Sequence, residues 1–143
     1  MKKFLVAIDQ GTTSSRAILF DTSGNIKFIH QLEFKQYFPK NGWVEHNPNE
    51  IWKTTLSSLK KVIQRAKKLN GKILSIGITN QRETTVLWNK KNGKPVYNAI
   101  VWQDRRTEEF CKNLKKNDFE KKIRKKTGLF IDPYFSATKI KWI

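Results

Sequence analysis

Apolar and polar residues alternate along the first part of the chain in a way that is typical of β-strands. Three such segments lie close together, at residues 4–9, 16–21 and 26–35, and a polar turn at 21–25 precedes the third. In that third segment the apolar residues at 26, 28, 32 and 34 share one face, as in a strand with one buried side. Because the connections are short, the three strands are predicted to pair as an antiparallel meander.

The pattern changes to a helical period after residue 47. Asn47 and Pro48 are typical of a helix start, and Glu50 completes a sequence that resembles a capping box. Asn70-Gly71 is typical of a helix end. Apolar residues between these limits recur at steps of three and four, which predicts one buried stripe. Its members are Trp52, Leu56, Leu59, Ile63 and Ala66.

The rest of the chain predicts a parallel strand, a hairpin and short helices. The apolar run over residues 73–79 is typical of a buried strand, and the helix before it implies a crossover connection, which makes the strand parallel to its neighbour. Segments 84–88 and 96–102 are strand-like around a turn at 89–94. The remaining segments are predicted helices at 104–116 and 118–126, a loop at 127–135 and a helix that begins at Ser136.

Length and composition fit one α/β domain with a mixed sheet. The chain has 143 residues, of which 38% are hydrophobic, enough for a real core. No apolar stretch reaches the roughly 18 to 20 residues of a membrane span. The apolar run after Lys3 is also shorter than the roughly 7 to 15 residues of a signal peptide. We therefore expect a cytoplasmic protein with no membrane partner. Cys111 is the single cysteine and the two histidines lie far apart, which argues against disulfides and a zinc site.

The net charge of +17 first suggests nucleic-acid binding. Lysine outnumbers arginine by 23 to 6, however, whereas base and bidentate phosphate recognition favours arginine. The lysines are spread along the chain, with one local cluster between Lys112 and Lys126. A solvated lysine surface is therefore favoured over a binding face, and we expect no specific nucleic-acid partner.

The loop between the first two predicted strands has more polar residues than a hairpin turn needs. Gly11 permits a tight bend, and Thr12, Thr13 and Ser14 offer hydroxyls beside backbone N–H groups, a set of donors that suits a phosphate. Asp9 could hold a hydrated Mg²⁺ through one carboxylate. The alternative is a solvent-exposed turn whose hydroxyls bond to their own backbone. The loop by itself leaves both interpretations open.

A second polar cluster follows the predicted strand at 73–79. Arg82 supplies the paired N–H donors of its guanidinium and Glu83 supplies carboxylate acceptors, and both suit the neighbouring hydroxyls of a polyol. Ligands usually bind at this end of strands in α/β sheets. Trp102 and Tyr134 could add apolar walls. The alternative is a surface ion pair for Arg82 and Glu83 and core positions for the two aromatics. Taken singly, each aromatic is more typical of a core residue than of a binding site.

The order of elements, with Asp-x-Gly-Thr inside a meander that a helix and a parallel strand follow, resembles the nucleotide-binding half of actin and the sugar kinases. The chain is similar to the FGGY carbohydrate kinases over its whole length. The Asn-Gln-Arg-Glu-Thr-Thr run at 80–85 resembles the glycerol kinases of that family rather than pentulose kinases. The other matching segments are 9–16, 42–46, 77–79, 98–103 and 132–143.

This resemblance implies an actin-like (ribonuclease H-like) N-terminal domain and transfer of a phosphoryl group from ATP to glycerol, which gives sn-glycerol 3-phosphate and ADP. By resemblance, the nucleotide would be contacted by Thr12, Thr13, Ser14 and Arg16, and Asp9 would organise Mg²⁺. Glycerol would be bound through its hydroxyls by Arg82, Glu83 and Tyr134, with Trp102 packed on its carbon chain.

FGGY kinases are much longer and place their general base in a second domain. Residues 1–143 are therefore expected to be a truncated N-terminal domain without that C-terminal domain, and to be inactive alone. A separate chain that carries the C-terminal domain is a possible partner, and kinases of this family are often homo-oligomeric. The alternatives are a fragment of a related sugar kinase, or a non-catalytic remnant that binds nucleic acid through its basic surface.

Overall fold

The computed structural model describes residues 1–116 and 119–143. They form two compact units, the first made of residues 1–35 and 47–81 and the second of residues 36–46 and 82–143. The strands are β1 Lys2–Gln10, β2 Ser14–Asp21, β3 Ile26–Glu33, β4 Glu45–His46, β5 Gly71–Thr79 and β6 Ala99–Ile100. The helices are α1 Pro48–Lys68, α2 Glu108–Lys116, α3 Phe119–Thr127 and α4 Ser136–Trp142. Residue 118, where a helix was predicted to begin, lies outside the described residues.

The first unit is a mixed four-stranded sheet with the strand order β3-β2-β1-β5. Strands β1, β2 and β3 pair antiparallel in sequence, whereas β5 pairs parallel to β1. The turn before β3 forms because the Asp21 carboxylate accepts the backbone N–H groups of Ser23 and Asn25, while Gly24 adopts a φ of 84°. The predicted meander, crossover and α/β fold class are confirmed.

Helix α1 covers one face of this sheet and closes a small core. The buried apolar side chains are Phe4, Val6, Ala17, Leu19, Val62 and Ala66. The helix begins as predicted, with the Asn47 side chain accepting the N–H of Asn49 and Pro48 in the first turn. The Glu50 carboxylate accepts the backbone N–H of Lys35, which ties the helix start to the segment after β3.

The predicted apolar stripe of α1 is partly wrong. Trp52 is 66% exposed, and the buried positions are Ser58, Val62 and Ala66. Ser58 can be buried because its hydroxyl bonds to the Ser15 carbonyl at 3.3 Å and lies 3.2 Å from His30 Nδ1. A pattern that counts only apolar residues cannot detect a buried helix position that is polar and hydrogen-bonded.

Strand β5 was predicted to be buried over residues 73–79, and this is wrong for all of them except the partly buried Ile73. Ile73 packs against the core, but Ile76 is 44% and Ile78 is 75% exposed. The strand lies at the edge of the sheet and pairs only with β1 among the described strands. The apolar run of β5 therefore extends beyond the part of the strand that packs against the core of this unit.

The second unit is built around short strand pairs. Strands β4 and β6 pair antiparallel, and Thr85 bridges to Ile100. The predicted hairpin is present in position but not as two full strands. The segments 84–88 and 96–102 are joined by the isolated bridge of Thr85 to Ile100 and by the bond from the Val96 N–H to the Leu87 carbonyl, without a continuous strand pair. Backbone bonds between residues 89 and 94 close its turn. In residues 1–116 and 119–143, no helix has both the length and the hydropathy needed to cross a bilayer.

A buried arginine lies at the centre of the second unit. One guanidinium nitrogen of Arg106, Nη2, donates to Glu45 Oε1 at 2.7 Å and to Asp104 Oδ2 at 2.8 Å, and all three side chains are almost fully buried. Asp104 also accepts the backbone N–H of Val44. The helix predicted from residue 104 therefore starts only at Glu108. Three rings surround the guanidinium, those of Trp43, Tyr97 and Trp142.

Candidate functional site

The loop that joins β1 to β2 is short, ordered by hydrogen bonds and rich in hydroxyls. The Gly11 N–H donates to the Ser14 carbonyl at 3.0 Å, and the Thr13 carbonyl accepts the N–H of Phe34 at 3.2 Å. A methyl group on Gly11 would lie 3.3 Å from the Ser14 carbonyl oxygen, so the bend leaves little room for a larger residue. Thr13 is exposed, whereas Ser14 is buried and its hydroxyl accepts a bond from Gln31.

Gln10 fixes the start of this loop, a role that the sequence did not reveal. Its Oε1 accepts bonds from the hydroxyls of Ser15 at 2.8 Å and Thr55 at 2.6 Å, and its Nε2 donates to the Gly11 carbonyl at 3.3 Å. The Ser15 hydroxyl also lies 2.8 Å from that of Thr54. These bonds attach the loop to the first turns of α1, so its hydroxyls are held in place before any ligand binds.

Asp9 and Arg16 face each other across the two strands that flank the loop. They are register partners, and Arg16 Nη2 lies 3.6 Å from Asp9 Oδ2 with both side chains about two-fifths exposed. Within residues 1–116 and 119–143, the buried Nε of Arg16 has no hydrogen-bond partner. A half-exposed carboxylate beside a cation with an unused donor suits a phosphate group and its counter-ion.

The donor set near Asp9 fits a magnesium ion that is carried by a nucleotide. Among the described residues, no group of three or more His, Cys, Asp and Glu forms a metal cage. Mg²⁺ is usually held by one or two carboxylates together with phosphate oxygens and waters. Asp9 is the carboxylate that could serve in this way.

In the second unit, Glu83 and Tyr134 are joined by a buried lysine. Lys139 is fully buried, and its ammonium donates to the Glu83 carbonyl at 3.0 Å and to the Tyr134 carbonyl at 2.7 Å. Glu83 has a φ of 61°, an uncommon conformation for a residue with a side chain. Burial lowers the pKa of Lys139 to about 8, with the nearby carboxylate of Asp104 acting against this effect.

The two predicted aromatic residues also meet here. The rings of Trp102 and Tyr134 lie 5.9 Å apart in an edge-on arrangement. The backbone N–H of Trp102 donates to the Thr84 hydroxyl at 3.3 Å. Both rings line a cavity of about 240 Å³ together with Gln103, Asp104 and Asp132 among others. This volume suits a small polar molecule.

The four residues predicted to bind a polyol are only partly assembled. Glu83, Trp102 and Tyr134 are brought together by Lys139 and by the ring contact, although they lie far apart in sequence. Arg82 is exposed, and neither it nor Glu83 is among the residues that line the cavity. Beside them, both polar atoms of the Gln81 amide are buried without a partner within residues 1–116 and 119–143.

Lys139 and Gln10 were missed by sequence reasoning for the same reason. Each is an ordinary polar residue inside a matching segment, and its importance depends on contacts with distant parts of the chain. Lysine is the most frequent cation in this sequence, so a single buried lysine gives no signal in the composition. The motif that ends the chain does contain Lys139, and this was the only available pointer.

Comparison with known proteins identifies the family. The N-terminal domain of the FGGY family of carbohydrate kinases matches residues 4–143. Glycerol kinases of Petrotoga mobilis and Escherichia coli are each 59% identical to this chain, over 143 and 142 residues. These matches cover 100% and 99% of the chain but only 29% and 28% of the relatives. The chain thus spans less than a third of their length.

Solved structures agree with this assignment. The structure of Plasmodium falciparum glycerol kinase with ADP superposes with a TM-score of 0.92 at 38% identity, over 99% of this chain and 28% of that one. A xylulose kinase from Rhodospirillum rubrum superposes with a TM-score of 0.90 at 21% identity, over 98% of this chain and 29% of its own, which shows the shared fold alone. The predicted fold and family are confirmed, and the chain belongs to the FGGY family of carbohydrate kinases.

Proposed function

We propose that residues 1–143 form the part of a glycerol kinase that binds the nucleotide phosphates and the polyol. The observation that carries this proposal is the meeting of Glu83, Trp102 and Tyr134 in the second unit. A carboxylate, an indole face and a phenol suit a molecule with several hydroxyls on a short carbon chain. The 59% identity to a glycerol kinase supports glycerol as that molecule.

The nucleotide would bind at the loop between β1 and β2. Thr12, Thr13 and Ser14 would contact its phosphates, and Arg16 would use its unpaired Nε for an anionic oxygen. The solved glycerol kinase with ADP supports an adenine nucleotide. Asp9 would hold Mg²⁺ through its carboxylate, and the ion would neutralise charge on the phosphates when bound.

The reaction would transfer the terminal phosphoryl group of ATP to a primary hydroxyl of glycerol. The hydroxyl oxygen forms the new bond to phosphorus while the bond to ADP breaks, and the hydroxyl proton leaves to a general base. Glu83, Arg82 and Tyr134 would fix the hydroxyl, and Trp102 would exclude water from the carbon chain. None of the described residues is assigned as the base, so we propose that turnover requires a further domain that supplies it. We also propose that the protein acts in the cytoplasm.

A chimera tests the proposal directly. Residues 1–143 of this chain replace the matching segment of the Petrotoga mobilis glycerol kinase, and ADP release and glycerol 3-phosphate are measured with ATP, Mg²⁺ and glycerol. We expect glycerol-dependent turnover by the chimera. The 143-residue chain alone should give no detectable product, since general-base assistance is typically worth about 10²–10⁴-fold.

Controls separate the outcomes. Glu83→Ala in the chimera should raise the KM for glycerol and lower kcat/KM, while the KM for ATP stays constant. Parallel assays with xylulose and gluconate test the substrate class. A folded chimera that prefers either sugar, or robust product from the chain alone, contradicts the proposal.

A further inference from the structure

Lys139 is the most deeply buried cation of helix α4, and its surroundings explain how it is tolerated. The side chain has no exposed surface, which is rare for lysine and costly unless its donors are used. Two of its three N–H donors bond to the carbonyls of Glu83 and Tyr134. Carboxylates of Asp104, Glu83 and Asp132 add favourable charge nearby, against the charge of Arg106.

Its two hydrogen bonds join segments that are otherwise distant in sequence. One carbonyl belongs to Glu83, in the strained backbone that follows β5, and the other belongs to Tyr134, in the loop before α4. Both bonds go to backbone atoms, so the Glu83 carboxylate and the Tyr134 hydroxyl remain available for other contacts. The ammonium therefore fixes where these two side chains begin through bonds to their backbone, while the Glu83 carboxylate contributes only a favourable charge.

We propose that Lys139 is a positioning residue of the polyol site, which holds the backbones of Glu83 and Tyr134 at a fixed separation so that both side chains reach one substrate. This inference rests on the proposed function for the identity of the substrate. Stability alone is a poor explanation of a buried ammonium, because an apolar residue of similar volume is often as stabilising as a buried charge. The two bonds of the ammonium, in contrast, go to the backbones of two residues predicted to bind the polyol, Glu83 and Tyr134, which gives it a geometric role.

The first test measures geometry and needs no enzyme activity. Amide hydrogen exchange is measured by NMR in the 143-residue chain, in Lys139→Met and in the matched control Lys141→Met, which removes an exposed lysine from the same helix. We expect Lys139→Met to speed exchange at least tenfold at both Thr85 and Phe135. The amide of Cys111 in α2 should keep its protection, and Lys141→Met should change none of these sites.

The second test measures substrate binding in the chimera. Lys139→Met should raise the KM for glycerol at least tenfold and leave the KM for ATP within twofold, because only the polyol contacts are displaced. Lys141→Met should match the parent. Lys139→Gln keeps amide N–H donors without a charge, so it should show the same effect in weaker form, and it replaces Lys139→Met if that variant does not fold.

The outcomes are distinguishable. Unchanged exchange at Thr85 and Phe135 overturns the inference, and so does uniform loss of protection that includes Cys111, since that is plain destabilisation. A lower kcat with an unchanged KM for glycerol also overturns it. A parent chimera that does not phosphorylate glycerol refutes the proposed function instead, while the exchange data still decide whether Lys139 couples the two segments.

Discussion

Replacement of Arg106 by methionine should destabilise the second unit far more than any surface change. The substitution keeps most of the side-chain length but removes the charge that neutralises Glu45 and Asp104. Both carboxylates would stay buried, because Glu45 also accepts bonds from Tyr97 and Asn98. Burial would raise the pKa of Glu45, but the bonds from these neighbours and from Arg106 keep it below its ordinary value.

The expected loss follows from the burial of this cluster. Removal of one partner of a buried ion pair typically costs about 3–5 kcal/mol, since the remaining charge is uncompensated. The contacts of the guanidinium with the rings of Trp43 and Trp142, at 3.9 and 4.6 Å, are lost as well. Whole domains have only about 5–15 kcal/mol of stability. Arg106→Met should therefore bring the second unit close to unfolding.

Urea unfolding followed by tryptophan fluorescence reports on this unit selectively, because four of the five tryptophans lie in it. With an m-value of about 1.5 kcal/mol/M, the expected loss moves the midpoint by about 2–3 M. The matched control is Arg105→Met, whose side chain is 62% exposed and pairs with Glu108 at the surface. Exposed ion pairs contribute little to stability, so Arg105→Met should leave the urea midpoint almost unchanged.

A double-mutant cycle adds a sharper criterion. Glu45→Gln on the Arg106→Met background removes one uncompensated charge, so the two changes should be non-additive by about 0.5–3 kcal/mol. If Arg106→Met shifts the midpoint no more than Arg105→Met does, or if the cycle is additive, then the cluster is not the electrostatic centre that its geometry indicates.

Three further predictions concern the loop, a glycine and pH. In the chimera, Thr13→Val should weaken nucleotide binding by about 1–3 kcal/mol and leave the KM for glycerol unchanged. If the kinetic constants of the variant equal those of the parent chimera for both ATP and glycerol, Thr13 does not contact the phosphates. A methyl group at Gly71 would overlap the buried ring of Phe4, so Gly71→Ala should cost about 1–3 kcal/mol in urea unfolding, whereas Gly77→Ala on the same strand meets nothing closer than 4.0 Å and should cost far less. Burial lowers the pKa of Lys139 from 10.5 to about 8, so between these values the unfolded chain binds more protons and the unfolding free energy should rise with pH. Relative to Lys139→Met, that gain should be on the order of 3 kcal/mol, and a flat difference would contradict it.

Local chemistry made much of the fold predictable. Short polar turns imply antiparallel pairing, and Asn47-Pro48 defines a helix start whatever lies around it. Burial was less predictable because it depends on what covers each element. Ser58 lies in the core through its hydrogen bonds, and Ile78 lies in solvent at the end of an edge strand. Neither outcome follows from the hydropathy of the residue itself.

The candidate site shows the same division. Motifs identified Glu83, Trp102 and Tyr134, because functional residues occupy fixed positions within such segments. The structure brings these three residues together. The groups that hold them were not predictable. A lysine or an arginine in a chain of net charge +17 is normally a surface residue, and only long-range contacts distinguish Lys139 and Arg106 from the others.

Each predicted binding region contains a polar side chain that forms hydrogen bonds with another segment of the protein. In the first unit Gln10 joins the loop after β1 to helix α1, and in the second Lys139 joins the segment of Glu83 to that of Tyr134. Loops at strand ends have few apolar contacts to order them, so a hydrogen-bonded anchor must limit their motion. The hydrogen bonds of these anchors go to groups other than the side-chain groups proposed to bind ligand. Replacement of Gln10 or Lys139 should therefore lower the affinity for one substrate, because the loop that binds it becomes less ordered. The residues proposed to contact that substrate are not themselves changed.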